Sequence, residues 1–285
     1  QWVEQQSWQT KKEKNEREEI LKVVSRERIT ELLKKSESGD MNSWWQLHNN
    51  LCMYRHELDE ADIRELPGWK VLSEDIQHRI ISSGKQYLQE MESKPDMWLG
   101  IGRIYYPALS GYRAIKALYR EEPEFIEKQN SEFWKRWAPI TVGFPLVSND
   151  PENGKIIALA YKHAPDEVLS TLDVLIDDEA QRYNGLFIND LLEESLDKSL
   201  SEFLLSKAQQ DGFSPKAAGE IIRFLLSHDD RATKDYVKSK ITVPLPKDEL
   251  KQDEILSAAA SLLWNANFDD WKFLWDLMQK NNEFA

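Results

Sequence analysis

The chain has 285 residues, 31% charged and 41% hydrophobic, with 11 Trp, 10 Phe and 9 Tyr and a formal net charge of −13. That aromatic and aliphatic mass is enough for a sizeable core and argues against disorder over most of the length. The uninterrupted apolar runs span only a few residues, far below the roughly 20 a membrane-crossing helix needs, and the acidic balance disfavours a generic nucleic-acid binder, which needs a basic surface.

In chain order, residues 9–19 carry no apolar side chain but are good helix formers with opposite charges three and four apart, so 1–38 reads as a charged N-terminal helix or arm. Ile20, Leu21, Val24, Ile29, Leu32 and Leu33 restore helical apolar spacing, and Ser38-Gly39-Asp40 ends it. The next helix is expected from Asn42 through Trp44, Leu47, Leu51 and Tyr54, followed by a turn at Leu66-Pro67-Gly68-Trp69. Ser73 is placed to cap a helix burying Ile76, Ile80, Tyr87 and Leu88, in which Gly84 permits close packing. Pro107 opens Ala108 to Arg120, Pro123 opens a short helix, and Ser131 caps Glu132 to Trp137, which Pro139 and Pro145 are expected to kink or end. Asn149 to Gly154 reads as a loop.

Three helical hairpins are expected beyond it: Lys155 to Ala164 with Pro165 to Asp177, Leu196 to Gln210 with Pro215 to Ser227, and, after Pro244 and Pro246, Glu249 to Trp264 with Phe268 to Lys280. The first and last match in register. Ala160-Tyr161-Lys162-His163-Ala164-Pro165 lies against Leu262-Leu263-Trp264-Asn265-Ala266-Asn267, and Leu169, Leu172, Leu175 and Ile176 then fall opposite Trp271, Leu274, Leu277 and Met278. Period-2 alternation is hardly visible. The expected fold is all-α, an irregular solenoid of stacked helical hairpins over residues 39–285, with 146–154 as the candidate division into halves. Unit spacing of roughly 35 to 50 residues lies near the HEAT and armadillo range.

Most catalytic signatures fail. The glycines at 84, 100, 102 and 154 complete neither a phosphate loop nor a dinucleotide fingerprint, His56-Glu57-Leu58-Asp59-Glu60 has Glu60 where a zinc protease needs its second His, and Gly-x-Ser-x-Gly is absent. His48, Cys52 and His56 share a helix face but span about 12 Å along it, against metal–ligand distances of about 2 Å. The acidic clusters Asp177-Asp178-Glu179, Asp229-Asp230 and Asp269-Asp270 fall at helix junctions, where capping accounts for them. Trp134 with Trp137, and Trp271 with Trp275, have the same-face spacing of core pairs. No enzymatic activity, metal or cofactor is therefore expected; a helical enzyme with an acidic, metal-containing pocket is the alternative.

Charge is unevenly distributed: 13 acidic residues stand against 5 basic ones from Leu146 to Gln210, whereas Trp98 to Arg120 holds Arg103, Arg113, Lys116 and Arg120 with no acid. Arg113, Lys116 and Arg120 share a helical face beside Tyr112 and Tyr119. Arg103, Tyr112, Arg113, Lys116 and Arg120 are thus the expected partner- or anion-binding surface; the competing reading pairs Arg120 with Glu121, Glu122 or Glu124 and packs the tyrosines. If the surface reading holds, Glu at 113, 116 and 120 weakens partner capture without unfolding the chain. The single cysteine, Cys52, suits a reducing, cytoplasmic setting, and the Gln1 start points to a fragment or processed chain.

Leu66-Pro67-Gly68-Trp69-Lys70-Val71-Leu72, Phe133-Trp134-Lys135-Arg136-Trp137-Ala138-Pro139 and Ala160 to Pro165 resemble segments of the helical C-terminal regions of bacterial NACHT or STAND-type NTPases. The resemblance covers most of the chain from about residue 40 and rests on packing and turn signals. It implies a sensor or assembly module that binds a protein partner or a flanking domain of its parent chain. No ATPase motif of that family is present, so none of its catalytic residues carries over.

Overall fold

A strand needs apolar residues at every second position and a helix at every third or fourth, and the second pattern governs this chain. The computed structural model describes residues 26–52, 62–144, 152–183, 185–186, 191–241, 247 and 249–280, and among them there is no strand. The expectations on residues 9–19, Tyr54, His56, Pro145, Asn149, Pro244 and Pro246 lie outside the described residues.

The helices are α1 (26–37), α2 (Met41–Leu51), α3 (Pro67–Lys70), α4 (Glu74–Glu90), α5 (Tyr106–Glu121), α6 (Pro123–Glu127), α7 (Ser131–Gly143), α8 (Glu152–His163), α9 (Pro165–Tyr183), α10 (Lys198–Ala208), α11 (Pro215–Ser227), α12 (Arg231–Lys240), α13 (Glu249–Trp264) and α14 (Phe268–Lys280). Two compact units divide between Thr171 and Leu172, inside α9.

In the first unit, α1 stops where Gly39 takes φ +98, the Asp40 amide donates to the Lys35 carbonyl at 3.0 Å, and the Asp40 side chain accepts from the Asn42 amide to start α2. Buried Ile29, Leu32 and Leu33 make α1 part of this core. Helices α2, α4, α5 and α7 surround the aromatic centre, where Tyr87 contacts both Trp44 and Trp137 at ring distances of 5.9 and 6.4 Å. The Trp137 indole donates to the Leu88 carbonyl at 2.9 Å, and the Tyr87 hydroxyl donates to the Pro107 carbonyl at 2.8 Å. Glycines set these approaches. A Cβ at Gly84 would lie 3.2 Å from the Trp44 ring, and one at Gly111 would lie 1.9 Å from Trp137, inside its van der Waals surface.

Three boundaries differ from the sequence reading. The expected turn at Leu66–Trp69 contains α3, opened by Pro67, with Gly68 seated directly on the Leu51 backbone. Helix α7 starts at Ser131 under an Asn130 cap that accepts from the Phe133 amide, and continues through Pro139 to Gly143. Burial of Ala138, Ile140 and Val142 outweighs the one backbone donor that Pro139 lacks. Glu152 to Gly154, expected in a loop, form the first turn of α8, whose main packing partner is α7.

In the second unit, α10 packs on α11, α11 on α12 and α13, and α13 on α12 and α14. Leu226, Val237, Ile241, Ile255, Leu262 and Leu274 form a core at its C-terminal end. Lys207 of α10, buried, donates to Asp173 and Asp177 of α9 at 2.6 and 2.8 Å. Helix α12 was not anticipated. Asp230 caps it by accepting from the Thr233 amide and hydroxyl at 2.7 and 2.6 Å, while its polar sequence offers a single buried aliphatic side chain, Val237.

Candidate functional site

Helix α5 holds four of the five expected contact residues, and it turns them inward. Tyr112, Arg113 and Lys116 are at most 1% exposed, Arg120 is largely covered, and Arg103, on the loop before the helix, is exposed. The Tyr112 hydroxyl donates to Asn153 Oδ1 at 2.7 Å, and its ring meets Phe144 edge-on. Arg120 forms ion pairs with Asp62 and with Glu152. Asp62 is itself buried and also accepts from the Arg64 guanidinium and amide. Burial would raise the Asp62 carboxyl, but the hydrogen bonds and charges of Arg64 and the charge of Arg120 outweigh it and hold the group below its ordinary value. The nearby acids have other partners: Glu121 takes Arg64 at 2.7 Å, Glu122 takes Lys85 at 2.6 Å and Glu124 takes Lys128 at 2.6 Å.

The expected surface at Tyr112, Arg113, Lys116 and Arg120 is thus a correction. Asp62 and Glu152 pair with Arg120, Asn153 accepts from Tyr112, and a macromolecule cannot reach the enclosed Arg113 or Lys116. His48 of α2 is buried on the same side. Desolvation, followed by the charge of Arg113, pushes its imidazole well below the ordinary value, so it is neutral at pH 7. The Cys52 thiol donates weakly to the His48 carbonyl at 3.8 Å. Among the described residues no group of His, Cys, Asp or Glu is arranged to hold a metal.

The acidic clusters are engaged locally. Asp177 accepts from Lys207, and Asp178 from Arg182 at 2.7 Å. Asp270 is buried and accepts from Lys234 and Lys238 at 2.8 and 2.6 Å. Asn267 caps α14 by accepting from the Asp269 and Asp270 amides at 3.0 Å, while Asp270 accepts in return from the Asn267 amide at 3.3 Å.

The outward chemistry lies elsewhere in the second unit. On α14, Phe273, Leu274 and Leu277 face the core. Phe268, Trp271 and Trp275, at i, i+3 and i+7, occupy one stripe away from it and are 82%, 49% and 44% exposed. The Trp271 and Trp275 rings stack at 5.1 Å, so this pair is a surface feature, whereas Trp134 and Trp137 are fully buried as expected of their spacing. Trp264, at the end of α13, is 88% exposed. Beside it a cleft of about 680 Å³ separates α11 from α13, lined by Lys216, Gly219 and Arg223 on one wall and Ala260, Ser261 and Trp264 on the other.

The hairpin registers matched in the sequence agree in burial at some positions and not at others: Tyr161 is buried, whereas Leu263, opposite it, is 49% exposed. Leu172, Leu175 and Ile176 are buried on α9, as is Leu274 at the position matching Leu172. Trp264 matches Lys162, an ordinary exposed cation. Sequence reasoning missed Trp264 and the Trp271 stripe because inward and outward stripes share one period. No helix among the described residues is long and apolar enough to cross a membrane. No family model, curated protein or solved structure matches the chain.

Proposed function

We propose that the chain is a non-enzymatic helical scaffold, an irregular solenoid of the HEAT or armadillo kind, that binds a protein partner through the outer aromatic surface of α13 and α14. The observation carrying this reading is the exposure of Trp264, Phe268, Trp271 and Trp275 on one hairpin whose core is already filled by other side chains. Covering a large apolar side chain is worth about 1.5–3 kcal/mol, and Trp is enriched among the residues that dominate protein interfaces. The solenoid reading is supported by packing that runs mainly between helices adjacent or next-adjacent in sequence. A sensor or assembly role within a larger bacterial protein accords with the family resemblance of the sequence.

The test is affinity capture with the wild-type chain, purification of the captured protein, and titration of that protein against wild type and a Trp264→Ser, Trp271→Ser variant. Affinity should fall about a hundredfold, the equivalent of about 2.7 kcal/mol, with the thermal midpoint retained. Equal affinity of both chains would remove the aromatic surface from the reading.

A further inference from the structure

Helix α11 uses its circumference in two ways. Ile221, Phe224, Leu225 and Leu226 are buried, while Lys216, Gly219 and Arg223 line up at i, i+3 and i+7 along the wall of the cleft shared with α13. The seam between two packed helices is ordinarily filled by apolar side chains. Here Gly219, Ala260 and Ser261 leave it open, and a Cβ added at Gly219 would meet no atom within 4 Å.

Both cations are exposed. Among the described residues Lys216 has no ion pair. The carboxylate facing Arg223 is Glu220 at 3.9 Å, and Glu220 is also engaged by the Leu186 amide at 2.5 Å. Lys216 and Arg223 stand two helical turns apart, about 10 Å, which is the span of about three residues of extended peptide. Trp264 provides a flat apolar platform at the rim.

We propose that this cleft is the binding site for an extended acidic peptide segment of the protein partner, with carboxylates three residues apart on Lys216 and Arg223 and an apolar side chain against Trp264. This rests on the protein-binding reading and specifies the chemistry of what is bound. A net charge of −13 and Glu220 beside the cations favour a ligand with sparse negative charge over a nucleic-acid strand, which carries a phosphate at every residue.

The experiment uses the full chain and an array of octapeptides with Glu at the third and sixth positions and varied residues elsewhere, beside a matching array with Lys at those positions. A ten-nucleotide thymidine strand is titrated separately. The Glu array should retain the chain, with aromatic or aliphatic residues enriched among its binders. Affinity for those binders should drop about tenfold or more in Lys216→Glu, Arg223→Glu and also in Trp264→Ala, with unchanged thermal midpoints. Equal retention on the Lys array, no retention on either, tighter binding of the thymidine strand, or indifference to Lys216→Glu, Arg223→Glu overturns the proposal. The captured partner separates the two readings: one that binds the Lys216→Glu, Arg223→Glu chain normally but fails on the Trp271→Ser chain sinks the cleft and leaves the aromatic surface standing, whereas one indifferent to both sinks both.

Discussion

Lys234 of α12 and Asp270 of α14 meet at 2.8 Å with side chains 6% and 2% exposed, an ion pair that joins two helices within the C-terminal core. Lys238 reaches the other oxygen of Asp270 at 2.6 Å, and Asp229 also contacts Lys234. Removing the charge of Asp270 would leave Lys234 buried with one carboxylate on its exposed side. Asp270→Asn should therefore destabilise the second unit by about 2–4 kcal/mol, somewhat moderated by Asp229. Urea unfolding measures this, and a loss below about 0.5 kcal/mol, the scale of a surface change, would show that the pair contributes little.

The buried position of Arg113 and Lys116 reverses the outcome that the sequence reading attached to them. Arg113→Glu or Lys116→Glu should unfold or insolubilise the first unit, because either change places an acid where a cation is enclosed. Circular dichroism and size-exclusion chromatography suffice to see it. A soluble, cooperatively melting double variant would return α5 to consideration as a surface.

Acid should act in two windows. His48 is held neutral by burial and by Arg113, so its folded-state pKa lies below its ordinary 6.5. As pH falls below about 6.5 the unfolded chain binds a proton that the folded chain refuses, and stability declines by about 1.4 kcal/mol per pH unit until the folded value is reached. Asp62 and Asp270 are depressed below 3.8 despite the opposing effect of burial, by their Arg and Lys partners, and their contributions are lost as pH falls through that lower range. Unfolding midpoints followed from pH 7 to 3 should show both declines. His48→Phe should flatten the upper one alone; an unchanged slope between pH 6.5 and 5 would assign it elsewhere.

Two glycines inside helices should respond oppositely to alanine. At Gly219 the site is open, so Gly219→Ala should stabilise α11 by about 0.5–1 kcal/mol through helix propensity. At Gly111 the new methyl would collide with the Trp137 ring, and Gly111→Ala should cost about 1–3 kcal/mol. Trp137→Leu should recover part of that loss in a double-mutant cycle, while strict additivity would contradict the collision.

Local signals carried much of the architecture. Pro107, Pro165 and Pro215 stand at helix starts, Gly39 at a helix end and Asp230 at a cap, and each acts within a few residues of itself. The orientation of α5 was not legible, because the direction of Arg120 depends on Asp62 and Glu152, 58 residues before and 32 after it. The Trp pairs expose the same limit: Trp134 with Trp137 and Trp271 with Trp275 both have helical spacing, yet only the first pair is enclosed. Pro139 misled for a complementary reason, since a local breaker was overruled by the burial of its neighbours.

The contact between Gly111 and Trp137 also has a bearing on how this chain is able to diverge. With no room for even one methyl group between α5 and α7, a side chain gained at 111 requires a smaller ring at 137 in the same lineage. The two positions should therefore covary among relatives that keep the contact between α5 and α7.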